Sequence, residues 1–518
     1  MTIKRLLLIA LTVLAVGRIV LALTASFSEP QAQAQLELYQ TNLVLRALDW
    51  QPPADEGWNW QDVRQTLLGA EPYAQAEMQY AEAREQVQAE QQQLTEQLAV
   101  VSDRSLSGQP VTDLQPSPAP LQLLQAQLQR LDRREAQLGL ELGILQAVQA
   151  ETSAAQNTWQ QIKAGGVTEA LAATASVLQA LWQEPPQVTE RAESAIEANL
   201  SGWFRDRARQ RLYVAQAQSA ELAALETRQQ SEAQRAFVKL VTIGAVPLVG
   251  GVLGVGLAIA LLVQLALRGK TAVLATQAQT GWTVPWDGEI AWQVIIVGFC
   301  FWGQFVLPLL LPLAVSALGI SLVEASLRVR ATYILVSYLC LALGALGVLY
   351  LSIRAYLPLP ADWFRPRWLS RWPLWGVGGY LVAIPLVLLV SLLNQQIWQG
   401  KGGSNPLIFL ALQADDAVAL AIFFGTAAIA APIFEEIIFR GFLLPSLTRY
   451  LSVTKAILLS SLIFAIAHLS LSEVLPLMTL GMILGVVYTR SRSLLASVLL
   501  HSLWNSGTLI SLFVLGSS

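Results

Sequence analysis

Three short motifs near the end of the chain place ionisable side chains in apolar surroundings. They are EEIIFR at 435–440, FAIAH at 464–468 and HSLWN at 501–505. The chain of 518 residues contains two histidines, and both lie in these motifs. Ionisable groups inside a membrane segment are costly and generally face a bundle interior or a water-filled cavity. Their clustering here predicts a functional site.

The spacing of the first motif separates the roles of its two glutamates. Residues four apart are neighbours on a helix, so Glu436 and Arg440 can pair. Glu435 points about 100° away from Glu436 around the helix. The pattern predicts that Arg440 neutralises Glu436, while Glu435 is free to face a cavity. Pro432 is expected in the first turn of a new helix, where the helix dipole favours both carboxylates.

A free carboxylate, two imidazoles and an amide are the parts of a hydrolase that activates water directly. The carboxylate can act as a general base, and one imidazole can hold or help deprotonate the same water. The second imidazole and the amide of Asn505 can donate to a developing oxyanion. No serine or cysteine lies at a recognisable nucleophile motif, so no covalent intermediate is expected. Zinc stays open as an alternative because Glu and His are zinc ligands, although the chain has no HExxH helix.

The same residues also have structural interpretations. A glutamate pair bridged to arginine at a membrane interface is ordinary packing, and His501 with Asn505 can tie two helices together. A non-catalytic scaffold or immunity-type protein and a transporter with a polar midplane site are therefore the alternatives. The co-occurrence of all these groups in four neighbouring helices favours the catalytic interpretation.

The composition is that of a membrane protein with a polar section. Hydrophobic residues make up 54% of the chain and charged residues 13%, whereas soluble domains carry about 25% charged residues. The mean hydropathy is +0.48. The net charge of −3 and the lack of a basic, aromatic-interleaved patch argue against nucleic-acid binding. Cys300 and Cys340 both lie in apolar runs and predict no disulfide or metal site.

Eight apolar runs follow residue 236, and each is long enough, or nearly so, to cross a hydrocarbon core of about 30 Å. Such segments must satisfy their own backbone hydrogen bonds and are therefore helices. The runs are 237–267, 290–319, 331–352, 373–394, 416–433, 455–471, 473–489 and 494–515. The expected fold is all-α, a polytopic membrane helical bundle with an N-terminal extramembrane helical, coiled-coil-like domain. The glycines at 250 and 254 predict close packing of the first run on a neighbour.

The N-terminal part of the chain divides into two segments. Residues 1–29 have a basic start and an apolar stretch interrupted by Arg18, which fits a signal peptide or, as we favour, a retained signal-anchor. Residues 30–236 are rich in Gln, Ala, Leu and Glu, and leucines at a and d positions from 121 to 145 predict a helical hairpin or coiled coil, with Glu135 as the one break. This domain shows no catalytic constellation and is expected to act as a spacer or to bind a protein partner.

The rest of the chain divides into transmembrane helices of unknown role at 237–372 and a site-bearing domain at 373–518. The loop at 353–372 is rich in basic residues, which predicts a cytoplasmic location. Its charged residues are Arg354, Asp362, Arg365, Arg367 and Arg371. Counting back through three spans places the N-terminus in the cytoplasm and residues 30–236 on the extracytoplasmic side. Glu435 is then expected near the inner end of the 416–433 span.

The three motifs, in this order and at these intervals, resemble those of the CPBP family, the CAAX prenyl protease and bacteriocin-processing membrane proteins. FEEIIFRGFLLPSL resembles the first family motif, FAIAH the FxxxH motif and HSLWN the HxxxN motif. The resemblance covers about residues 375–515. It implies an all-helical intramembrane glutamic endopeptidase that acts on membrane-associated or lipidated proteins in the bilayer and needs no bound metal or other cofactor.

The resemblance also implies roles for individual residues. Glu435 and His468 would activate the water, and His501 and Asn505 would stabilise the oxyanion. Support of the site would come from Glu436, Arg440 and Phe464. The family includes members assigned to protection or scaffolding, so the non-enzymatic alternative stays open. Nothing in the chain itself points to recognition of a prenyl group.

Overall fold

The computed structural model consists of helices joined by loops. It describes residues 2–27, 32–52, 60–106, 119–165, 168–275, 279–322, 325–361, 363–364, 368–404, 408, 412 and 416–516. These residues contain helices and no β-strand, so the fold is all-α as predicted. The chain divides into two compact units. One is Ala34–Thr242, and the other combines Met1–Gln33 with Ile243–Ser517.

The unit Ala34–Thr242 is built around an antiparallel hairpin. Its helices are α2 (Ala32–Ala47), α3 (Trp60–Leu68), α4 (Pro72–Leu106), α5 (Ala119–Val148), α6 (Thr152–Ala164), α7 (Glu169–Leu181), α8 (Ala192–Asn199) and α9 (Gly202–Ala215). Helices α4 and α5 form the hairpin that the leucine pattern predicts. Glu135, the break in that pattern, accepts a hydrogen bond from Arg84 Nε across the hairpin at 2.7 Å. An ion pair thus occupies the position where the heptad lacks an apolar residue.

The second unit is a bundle of long apolar helices. They are α1 (Ile3–Ser26), the C-terminal part of α10 (Ser219–Arg268), α11 (Gly288–Ala317), α12 (Leu327–Ile353), α13 (Trp372–Trp398), α14 (Ala417–Leu447), α15 (Val453–Ile466), α16 (Val474–Ser491) and α17 (Leu494–Gly516). Within the described residues, eight of these helices are long and apolar enough to cross a membrane, α15 being the exception. The chain is a multi-pass integral membrane protein.

The prediction of a full span at 455–471 is wrong. Helix α15 has 14 residues, which corresponds to about 21 Å. The chain then turns, because the serines that follow bond to another loop instead of continuing the helix. Ser472 Oγ donates to the Gly403 carbonyl at 2.6 Å, and Ser470 Oγ donates to the Gly402 carbonyl at 3.2 Å. The FAIAH motif therefore ends inside the bundle.

Glycines set the close packing of α10 on α13. A Cβ atom at Gly254 would overlap the carbonyl of Leu381, and one at Gly250 would lie 2.7 Å from Ile384 Cδ1. Only glycine allows this backbone approach, as the spacing of the two glycines predicts.

Aromatic residues of the loop before α11 cover the C-terminal end of α14. Trp286 is fully buried, and its Nε1 donates to Ser446 Oγ at 3.0 Å. Its ring lies 4.4 Å from that of Trp363, centroid to centroid. The Trp363 indole in turn donates to the Thr283 carbonyl at 2.9 Å. This end of α14 is therefore held rigidly against its neighbours.

Helix α1 makes polar contacts at both of its ends. Lys4 Nζ and Arg5 Nε lie 3.0 and 2.7 Å from the Glu289 carboxylate at the start of α11. At the other end, Ser26 Oγ accepts a hydrogen bond from the Leu471 backbone N–H at 3.3 Å. Leu471 belongs to the turn that follows the FAIAH motif. Helix α1 thus contacts the site-bearing part of the bundle.

We expect α1 to be retained in the purified protein rather than removed as a signal peptide. Removal of α1 would leave the Leu471 N–H and the Glu289 carboxylate without these partners. Each such loss would lower the free energy of unfolding. Intact-mass spectrometry of the detergent-solubilised protein checks this. A mass that lacks the first 25 to 30 residues (roughly the length of a signal peptide) would contradict it.

Candidate active site

Helix α14 carries both glutamates, and it runs without interruption from Ala417 to Leu447. The prediction that Pro432 opens a new helix is wrong, as is the placement of Glu435 near the end of a span. The helix widens to π geometry at Gly425–Ala430 and again at Ile437–Leu443. Such wide turns absorb the missing N–H and the ring clash of an internal proline. Glu435 therefore lies well inside the helix, about 18 Å from its C-terminal end, and no helix dipole favours it.

Glu436 is committed to two buried partners. Its Oε1 accepts hydrogen bonds from Arg440 Nη1 at 2.7 Å and from His501 Nδ1 at 3.0 Å. The side chains of Glu436, Arg440 and His501 are 0%, 1% and 3% exposed. Such burial of charge is tolerated only when the charges are paired and hydrogen-bonded. The pair that the i,i+4 spacing predicts is present, and His501 joins it from α17.

Arg440 is held by two further contacts. Its Nη2 donates to the Gly481 carbonyl at 3.2 Å, and its Cζ lies 4.4 Å from the centroid of the Phe464 ring. A Cβ at position 481 would lie 3.2 Å from Arg440 Nη2 and 2.9 Å from Ser461 Cβ, so a glycine allows the guanidinium to reach α16. The arginine therefore ties α14 to α15 and α16, and its partner Glu436 adds α17 through His501.

Glu435 has a different environment from its neighbour. Its Oε1 accepts a hydrogen bond from Tyr338 Oη at 3.0 Å. Its Oε2 has no hydrogen-bond partner among the described residues and lies 3.9 Å from His501 Nε2. The side chain is 15% exposed, against 0% for Glu436. Both glutamates keep an Oε2 without a hydrogen-bond partner among the described residues, but only the side chain of Glu435 is partly exposed, and His501 lies between the two.

Comparison with known proteins places this arrangement in a family. Residues 417–507 match the family model described as "Type II CAAX prenyl endopeptidase Rce1-like". This region is a CPBP (CAAX protease) family domain. The chain is also similar to "Putative membrane peptidase YdiL" of Bacillus subtilis (strain 168), with 27% identity over 137 residues. That match covers 26% of this chain and 55% of the relative, so the chain spans about half the length of this curated relative. No solved structure matches the chain.

His468 of the CPBP domain lies in the turn after α15. Its Nδ1 is 2.9 Å from the Phe464 carbonyl. A carbonyl only accepts, so Nδ1 carries the proton, and Nε2 is left as the acceptor of the neutral ring. The ring packs edge-on against Phe464 at 4.9 Å. Among the described residues no hydrogen bond or ion pair joins His468 to Glu435. The histidine that contacts Glu435 is His501, which the resemblance assigns to the oxyanion.

Asn505 bonds to the backbone of α14. Its Nδ2 donates to the Ala427 carbonyl at 2.8 Å. In the π register this carbonyl would accept from residue 432, which as a proline has no N–H. The asparagine thus supplies the hydrogen bond that Pro432 cannot supply. One N–H of its amide is used in this way, and the other is the one that an oxyanion would need.

The aromatic ring of Phe464 is shared by the charged residues of the domain. It contacts the guanidinium of Arg440 and the imidazoles of His468 and His501, the last at 5.8 Å between centroids. Phe464 is itself fully buried. A rigid ring in contact with all three groups limits the positions that they can adopt.

Sequence reasoning missed Tyr338. It lies in α12, outside residues 417–507 and within the segment whose helices had no predicted role. A single tyrosine in an apolar helix carries no signal of its own. Only the packing of α12 against α14 brings its hydroxyl to Glu435.

The zinc alternative requires at least three converging ligands. Among the described residues, no group of three or more His, Cys, Asp or Glu side chains is arranged to hold a metal ion. Both histidines bond through Nδ1 and therefore keep Nε2 available, but no third ligand converges with them among the described residues. The donors present therefore do not fit a zinc site in this arrangement.

Proposed function

We propose that the chain is an intramembrane endopeptidase of the glutamic type. It hydrolyses peptide bonds of membrane-associated or lipidated proteins with a water molecule activated by glutamate and histidine. The observation that carries this proposal is the free Oε2 of Glu435, which is 3.9 Å from His501 Nε2 in a site with access to solvent. Glu436 Oε2 is likewise without a partner, but it belongs to a fully buried side chain, so the partly exposed Glu435 is the carboxylate that a water molecule can reach.

The geometry supports a simple hydrolytic cycle. Two acceptor atoms 3.9 Å apart can share one water that lies about 2.8 Å from each. The water oxygen attacks the peptide carbonyl carbon while one of its protons passes to Glu435 Oε2. The tetrahedral intermediate then collapses, the C–N bond breaks, and Glu435 returns the proton to the leaving amine. The products are a carboxylic acid and an amine, and no covalent enzyme intermediate forms.

The histidines and Asn505 have complementary proposed roles. His501, oriented by its Nδ1–H bond to Glu436, holds the water through its Nε2. His468, whose ring is oriented by the Phe464 carbonyl, would help to deprotonate the water. The second N–H of Asn505 is the remaining oxyanion donor. Hydrogen-bond donors fixed in advance stabilise developing charge without reorganisation.

The proposed orientation places the N-terminus in the cytoplasm and residues 30–236 on the other side of the membrane. Basic residues cluster in the helix ends and loops at one end of the bundle, which favours a cytoplasmic location for that end. They include Lys4, Arg5, Arg268, Lys270, Arg354, Arg371, Arg449, Arg490 and Arg492. Arg365, Arg367 and Asp362 of the basic loop lie outside the described residues. We propose that residues 30–236 bind a protein partner or present substrate.

A comparison of protein termini in cell membranes tests the function. Cells with the wild-type protein are compared with cells that produce Glu435→Ala at equal abundance, and new termini are mapped by mass spectrometry. We expect a set of termini to vanish in the variant and to persist in wild-type membranes treated with a chelator. Identical termini, together with a variant that still supports the cell's phenotype, would favour the scaffold interpretation. Loss upon chelation would favour a metal-dependent peptidase.

A further inference from the structure

One contact to the proposed catalytic carboxylate comes from outside the family domain. Tyr338 of α12 donates a hydrogen bond from its phenol to Glu435 Oε1 at 3.0 Å. The family match begins at residue 417, so the matched segment contains no part of α12. Which oxygen of Glu435 stays free therefore depends on a residue outside the matched segment.

A carboxylate needs such a contact if its two oxygens are to have different roles. The terminal torsion of glutamate has broad, roughly two-fold preferences, so an unrestrained carboxylate turns readily. A phenol bonded to Oε1 fixes this torsion and leaves Oε2 directed at His501 Nε2. Hydrogen bonds to a charged acceptor are also stronger than those between neutral groups. Tyr338 thus holds the carboxylate in the orientation that the proposed water activation requires.

The position of Tyr338 is itself determined by packing. Its ring lies edge-on to Phe434, the residue before Glu435, with centroids 5.8 Å apart. Toward the start of α12, Ala331 is buried against Ala419 and Phe423 of α14. On the opposite side, the Trp302 indole of α11 donates to the Cys340 carbonyl at 3.0 Å. Helix α12 is therefore fixed both to α14 and to α11 on either side of Tyr338.

We propose that Tyr338 is a positioning residue for Glu435 and that α12 is a functional part of the active site. This inference rests on the proposed hydrolytic function. Tyr338 touches neither water nor substrate in the proposed cycle, and no proton leaves its hydroxyl. It acts by keeping one carboxylate oxygen occupied and the other free.

The test compares Tyr338→Phe with Tyr350→Phe, a matched control on the same helix whose side chain is 59% exposed. The substrate is a synthetic peptide that covers the strongest cleavage site found in the comparison of termini. Rates are expressed per folded molecule, with folding checked by size-exclusion chromatography and thermal unfolding. We expect Tyr338→Phe to lower kcat about 10- to 100-fold, the effect of one hydrogen bond to a charged group, with little change in KM. The control should match the wild type.

A second readout separates positioning from a general structural role. The pH–rate profile of Tyr338→Phe should differ from that of the wild type, because the lost donor contacts the titrating base directly. A residue that only supports the fold would leave the profile in place. If Glu435→Gln is inactive but Tyr338→Phe keeps the wild-type kcat and profile, the inference about Tyr338 is overturned alone. If Glu435→Gln cleaves normally, or no cleavage site is found, the proposed function fails and the inference fails with it.

Discussion

Replacement of Glu435 by glutamine should lower kcat about a thousandfold, within the range that general bases contribute. Glutamine keeps the size of the side chain and can still accept the Tyr338 hydrogen bond, but it cannot take a proton from water. The substitution also leaves the buried Glu436–Arg440 ion pair in place. The measurement is cleavage of a peptide identified from the membrane comparison, with purified protein in detergent or vesicles.

Glu289→Gln is the matched control for this prediction. It makes the same chemical change in the same helical unit, at a carboxylate that pairs with Lys4 and Arg5 away from the site. We expect near wild-type cleavage from it, together with unchanged thermal unfolding of Glu435→Gln. Wild-type kcat in Glu435→Gln would rule out a role for this glutamate as general base.

Arg440→Met should destabilise the membrane unit by about 3 to 5 kcal/mol, the usual cost of removing one partner of a buried ion pair. The change leaves the carboxylate of Glu436 in a fully buried position with only His501 as partner. It also removes the contacts of the guanidinium with the Gly481 carbonyl and the Phe464 ring. Thermal unfolding in detergent, followed by tryptophan fluorescence, measures the effect.

The double variant Glu436→Gln/Arg440→Met distinguishes a lost ion pair from lost packing. Because the buried charge is then removed together with its partner, we expect the double variant to be more stable than Arg440→Met alone. If the losses of stability in Glu436→Gln and Arg440→Met simply add in the double variant, the two side chains do not interact. Arg440→Lys should recover only part of the stability, because an ammonium cannot reproduce the planar donor geometry of the guanidinium.

Much of the fold could be predicted from the sequence because it depends on local pattern. Apolar length marks the membrane helices, and the leucine spacing marks the hairpin of α4 and α5. Where the local pattern was ambiguous, the prediction failed. The apolar run after Lys455 is cut short by serines that bond to the Gly402 and Gly403 carbonyls, a contact between segments almost 70 residues apart. The continuity of α14 through Pro432 depends on π turns, which have no reliable local signature.

The candidate site shows the same division. The sequence by itself determined the membrane class, the set of ionisable residues and the Glu436–Arg440 pair, because an i,i+4 contact lies within one helix. Only the tertiary structure decided that His501 lies between the glutamates, that Asn505 bonds to the Ala427 carbonyl and that Tyr338 reaches Glu435. These contacts join residues 65, 78 and 97 positions apart. Helical periodicity fixes which face a residue lies on, but the neighbour of that face is set by how whole helices pack.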